Sequence, residues 1–284
     1  MVGFSGLWTA EAQRGGRVAS AIATASRRTG VDFAYLMGQA QIESSMNPEA
    51  RARTSSATGL YQFLDQSWLK VVADHGAKHG LGWAADAIQH GSGGRYQVAD
   101  PQMRQAILDL RKHPETASVM AAEFASDNRA YIEERTGRTA EPVDLYLAHF
   151  LGAGGAARFL SIASANPEAS GAAIFPAAAR ANRSIFYDRQ GNARSLAAIR
   201  ENFAEKLDEG ARDAGTEIQY AGGYGGSYAS PSAPAQVQPA DYVRIEQARL
   251  AQNQSWQDAA DDANPMPQTE AARLAYLMLA TLGR

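Results

Sequence analysis

The chain contains no cysteine. That removes disulfides, thiol nucleophiles and thiolate-bound metals, and it is compatible with any redox compartment. It also lacks an excess of positive charge. Lys and Arg number 27 against 30 Asp and Glu, a net charge of −3, so the footprint of a polyanion-binding surface is missing and no nucleic-acid partner is expected. No apolar run is long enough to cross a bilayer. Residues 1–16 show no basic segment leading into an apolar one, so no secretory leader is visible. Phosphate loop, nucleophile elbow and dinucleotide fingerprint are all missing. His75 and His79 are four apart, but Gly76 and Gly80 weaken a shared helical face, and no acid stands at ligand spacing. Neither metal nor cofactor is expected.

Strand-like alternation is scarce as well, and what remains is helical. The apolar fraction is 45% and the charged fraction 20%, as in globular proteins with a real core. Apolar periodicity predicts helices over about 10–28, 32–45, 60–74, 101–111, 115–136, 142–151, 154–164, 167–180 and 193–209. Gly30, Gly76, Gly80 and Gly137 read as helix stops, and Pro101, Pro114, Pro142 and Pro167 as first-turn prolines. The Gly- and Ser-rich stretch 91–100 reads as a loop. The expected fold class is mainly α, a helical domain over 10–210. A Gly/Ser/Pro/Ala-rich linker follows over 211–240, where composition cannot support a core. A helical tail over 241–284 ends the chain. Its residues Leu274, Leu277, Met278 and Leu282 suit docking on the domain, or holding a partner or a membrane surface.

One acid stands out. Asp32 is a fit N-cap for the second helix. At about 100° per residue Phe33, Leu36, Met37, Ala40 and Ser44 share a face, and Glu43 falls at its border. Partial desolvation and the negative end of the helix dipole both disfavour a second charge there and favour the protonated acid. A polar segment then runs through Asn47-Pro48 and Thr54-Ser55-Ser56-Ala57-Thr58 to Gly59-Leu60-Tyr61-Gln62-Phe63. Gly59 allows close backbone approach, Tyr61 offers a ring and a hydroxyl, and Gln62 an amide. A protonated carboxyl facing such a groove suits cleavage of a glycosidic bond.

Glu43-Ser44, Asn47-Pro48-Glu49-Ala50 and Gly59-Leu60-Tyr61-Gln62-Phe63, at these spacings, resemble the catalytic domain of bacterial soluble lytic transglycosylases. These are muramidases of the goose-lysozyme-like superfamily. The resemblance covers residues of about 30–75 well and extends more loosely to about 190. It implies a lysozyme-like helical domain with Glu43 as sole catalytic acid/base, Ser44 beside it and Gln62 on the glycan. Tyr61 stands where the family usually has Met, and Phe63 where it has a branched aliphatic. Both would keep an apolar groove wall. The family's third motif, commonly Ala-Tyr-Asn-Ala-Gly, is matched by Ala148-His149-Phe150-Leu151-Gly152. His149 then replaces the Tyr that hydrogen-bonds near the Glu, and Phe150 the Asn.

Asn182 to Tyr187 is a further groove candidate, with Tyr187 as its ring. The substrate implied is peptidoglycan, cleaved between N-acetylmuramic acid and N-acetylglucosamine with 1,6-anhydro ends. The location implied is periplasm or envelope, and the tail could meet envelope machinery. Two alternatives stay open. One is a hydrolytic muramidase using Asp65, Asp86 or Asp100 to activate water. The other is a non-catalytic glycan-binding or assembly module.

Overall fold

In the computed structural model, residues 5–219 are described, except 54 and 92. The expected linker beyond 219 and the tail over 241–284 lie outside the described residues. The fold is mainly α. Its helices are α1 (Ser5–Thr29), α2 (Phe33–Ser44), α3 (Asp65–His75), α4 (Gly82–Ala87), α5 (Pro101–Asp109), α6 (Pro114–Thr136), α7 (Pro142–Ala165), α8 (Gly171–Ile174), α9 (Pro176–Ala181), α10 (Arg183–Phe186) and α11 (Leu196–Asp213). Short 3-10 turns follow α3 and α5. A small hairpin pairs β1 (Gln89–His90) with β2 (Tyr96–Gln97), the second strand falling inside the 91–100 stretch expected to be a loop.

Caps account for most boundaries. Asp32 accepts from the Tyr35 backbone N–H at 2.7 Å and starts α2. Pro101, Pro114 and Pro142 open α5, α6 and α7. Pro167 opens none. The expected helix over 167–180 is instead broken into α8 and α9, with Pro176 starting the second. The two helices expected either side of Gly152 are both present, and α7 is that pair joined across a kink. Gly152 has φ 75° and ψ 160°, a conformation essentially restricted to glycine.

α2 lies at the centre of the core. Every residue from Ala34 to Ala40 is buried, so the helix is enclosed all round rather than amphipathic. It packs on α1, α6 and α11. The crossing with α11 is close. A Cβ on Gly38 would lie 2.9 Å from the Leu207 carbonyl oxygen, and one on Gly210 2.9 Å from the Gly38 oxygen. α7 packs on α6 and α11, which brings its first half against α2.

One buried charge fixes α7. Asp144, with a fully enclosed side chain, accepts from Arg138 Nη2 at 2.8 Å, Arg200 Nε at 2.9 Å and the Glu141 backbone N–H at 3.0 Å. Arg200 also meets Glu141 at 2.5 Å. The network ties the start of α7 to α11. Asp144→Ala strips two guanidinium groups of this partner and removes half of a reciprocal N-terminal cap. Its expected cost is about 3 kcal/mol, the lower end for a broken buried pair because both arginines keep some solvent. Urea denaturation checks this, and a loss within experimental error would contradict it.

Candidate active site

Glu43 occupies the last turn of α2, and its side chain is only 5% exposed. The chain leaves the helix through two consecutive left-handed residues, Ser45 (φ 51°) and Met46 (φ 61°). Among the described residues the only other non-glycine with positive φ is Gln62 (φ 47°). All three strained positions therefore flank the Glu43 turn and the pentapeptide expected to face it. Such strain persists only where surrounding contacts over-determine it, and it gathers at functional sites.

Those contacts are local and dense. Ser44 Oγ donates to Ala40 O at 3.0 Å and lies 2.8 Å from Leu60 O, joining the end of α2 to the pentapeptide. The Gln62 amide donates to Gly59 O at 2.8 Å and Ala50 O at 3.2 Å. The Thr58 N–H donates to Phe63 O, and the Gly59 N–H to Ala50 O. A distant residue completes the loop. Arg111 is buried and donates to the Ser56 and Phe63 carbonyls at 2.8 and 2.9 Å, and Nη1 also meets Asp65 at 2.9 Å. Burial is the main influence on this guanidinium and pulls its pKa below the usual arginine value, with Asp65 opposing. Arg111 carries no local sequence signal for this role, because the loop carbonyls it holds are 55 and 48 positions away in the chain.

Across from Glu43 stands His149, on α7 before the kink. Its Nε2 is 3.0 Å from Glu43 Oε1. The angle there falls short of a well-formed hydrogen bond, and Oε1 is otherwise enclosed without one. On the other side of the ring, the Gln39 amide nitrogen lies 3.3 Å from Nδ1. The imidazole stacks parallel to Tyr146, with an interplanar angle of 3°. Behind them is a buried phenol. Burial foremost, then Tyr61 and Glu43, hold the Tyr35 hydroxyl above the usual tyrosine range, while Arg129 acts the other way. Gln39 and Tyr35 are site residues missed from sequence. Both lie at i−4 and i−8 from Glu43, on the same face of α2, and that spacing was the signal available.

The structure brings His149 to Glu43 and Ser44 to the Leu60 carbonyl at the end of α2, while the Gln62 amide nitrogen is turned onto the Gly59 and Ala50 carbonyls of its own loop. It places other expected ligand residues elsewhere. Tyr61 is 1% exposed and belongs to the core, so it presents no surface to a ligand. Burial pushes its hydroxyl above the usual range. Ser118 is its polar neighbour, though neither oxygen reaches a well-formed hydrogen bond. Phe63 is buried too, set edge-on to Trp68 at 5.3 Å and Phe124 at 6.0 Å, and so is not a groove wall. Gly59 does permit a close approach, but to Arg111. With φ +85°, an added Cβ would overlap the Arg111 carbonyl oxygen. The turn at Gln62 explains these departures, since it sends the flanking rings inward.

Phe150 packs among aromatic side chains, 5.1 Å from Phe203 and 6.4 Å from Phe186. Tyr187 is partly buried, with the Arg183 guanidinium 4.5 Å above its ring. Neither has a described contact with Glu43. Of the three acids weighed for water activation, Asp65 is held by Arg104 at 2.7 Å as well as by Arg111. Asp100 caps α5, accepting from the Gln102 and Met103 N–H groups. Asp86 is exposed. His75 and His79 meet carboxylates of α6 instead of one another: His79 reaches Glu123 at 2.6 Å, and His75 reaches Asp127 at 2.8 Å. No group of three or more ligating side chains suited to a metal occurs among the described residues. No protein-family model matches the chain.

Proposed function

We propose that the chain is a peptidoglycan lytic transglycosylase with Glu43 as its general acid and base. The observation that carries this reading is the Glu43 carboxyl itself. Its side chain is 5% exposed, set 3.0 Å from His149, and followed by two of the three left-handed non-glycine residues among those described, Ser45 and Met46. An acid so placed reaches one side of the site without bulk water competing for its proton.

In the proposed reaction Glu43 acts first as the proton donor. It gives its proton to the oxygen linking N-acetylmuramic acid to N-acetylglucosamine, and that bond breaks toward an oxocarbenium-like centre. The substrate's own acetamido group stabilises this centre, as in substrate-assisted glycosidases that lack the usual second carboxylate. The Glu43 carboxylate then takes the proton of the muramic C6 hydroxyl. That hydroxyl closes on the anomeric carbon to form the 1,6-anhydro ring, and Glu43 is again an acid. No water is consumed. The engagement of Asp65 with two arginines and of Asp100 with α5 favours this route over a water-activating one. The proposed place of action is the periplasm or envelope, where the substrate lies.

The test is product mass. Purified peptidoglycan digested by the protein is expected to release disaccharide muropeptides lighter by one water than hydrolytic products. Fully hydrated reducing ends would replace the transglycosylase with a hydrolytic muramidase. Binding without release would replace both with a glycan-binding module.

A further inference from the structure

We infer that Gln39 is a positioning residue that sets the tautomer of His149 and so places the hydrogen-bearing ring nitrogen beside Glu43. The amide nitrogen of Gln39 is a donor that cannot accept. The Gln39 amide nitrogen is 3.3 Å from His149 Nδ1, so Nδ1 must be the acceptor. A neutral imidazole then carries its hydrogen on Nε2. Nε2 is the atom that lies 3.0 Å from Glu43 Oε1. Gln39 is only 5% exposed, so water competes little for its amide.

The spacing makes the device simple. Gln39 and Glu43 are one helical turn apart on α2, and so lie on one face. The same helix offers a donor to one nitrogen of the ring and an acceptor to the other. Tyr146, stacked on the imidazole, supports the ring's plane. When Glu43 gives up its proton, the hydrogen-bearing Nε2 already stands 3.0 Å from Oε1, and a small turn of the ring or carboxylate lets it donate to the new charge. In the opposite tautomer the Nε2 lone pair would face that carboxylate and repel it. The kinetic consequence rests on the glycan-cleaving reading, whereas the tautomer does not.

The experiment is NMR of the full chain carrying ¹⁵N-labelled histidine. Long-range ¹H–¹⁵N correlations report the protonation of each ring nitrogen, and His149 is assigned by the signals lost in His149→Gln. In the wild type Nδ1 is expected to be unprotonated and Nε2 protonated. In Gln39→Glu, where a carboxylate can accept, Nδ1 is expected to become protonated. A wild-type Nδ1–H, or a Gln39→Glu spectrum unchanged from wild type, overturns the inference.

On soluble glycan strands, Gln39→Leu is expected to lower kcat by about 10- to 100-fold with KM unchanged, as for a misaimed catalytic group. An unchanged kcat overturns the kinetic role. If the tautomer reads as expected while no glycan is cleaved, the positioning inference stands and the proposed function fails.

Discussion

Glu43→Gln is expected to lower muropeptide release by about 10²–10⁴-fold, the range for losing a general acid. The amide keeps the size and shape of the acid but cannot give or take the proton. The fold is expected to survive. Glu43 Oε1 is enclosed without a well-formed hydrogen bond, so the native carboxyl contributes little to stability there. Thermal melting should therefore place the variant at or above the wild type. The pairing of lost turnover with retained stability separates a catalytic role from a structural one. A variant that kept near wild-type release would remove Glu43 from the reaction.

Gly59→Ala is expected to do the reverse, costing stability first and activity as a consequence. Two penalties coincide. A left-handed backbone at φ +85° disfavours alanine by about 1–2 kcal/mol. The new methyl group also overlaps the Arg111 carbonyl, and overpacking against a fixed backbone costs about 1–3 kcal/mol. The expected total is roughly 4 kcal/mol, read from urea denaturation. Any folded fraction should show weakened glycan release, because Arg111 holds the loop that bears Gln62. Wild-type stability in Gly59→Ala would mean that the loop does not rest on Arg111 as described.

Gly59 also marks what the sequence could and could not disclose. Its need for close approach was legible, but not its partner, which is a backbone carbonyl 52 positions further along the chain. The same long-range support delays α3. Periodicity predicted a helix from about residue 60, yet it begins at Asp65, because the preceding residues are bound into a turn by Arg111 and Ser44. Tyr61 and Phe63 were misplaced for that reason. Their types suit a sugar platform as well as a core, and only the backbone at Gln62 decides between them. The long helices, by contrast, announced themselves through Asp32, Pro101, Pro114 and Pro142, whose capping chemistry is local.

The meeting of His149 with Glu43 was readable only through resemblance, since they stand 106 positions apart in the chain. The packing of α7 on α11, and of α11 on α2, is what closes that gap. Gln39 was readable in principle, one turn before Glu43. A glutamine inside an otherwise apolar helical turn needs a partner, and its partner is the imidazole.

The most direct measurement is a side-by-side digestion of purified sacculi by the wild type and Glu43→Gln, with the soluble products weighed. An enclosed acid working with the substrate's own C6 hydroxyl should yield anhydro-ended muropeptides from the first sample and none from the second. Soluble fragments in equal amount from both, or none from the wild type, would contradict the assignment of Glu43.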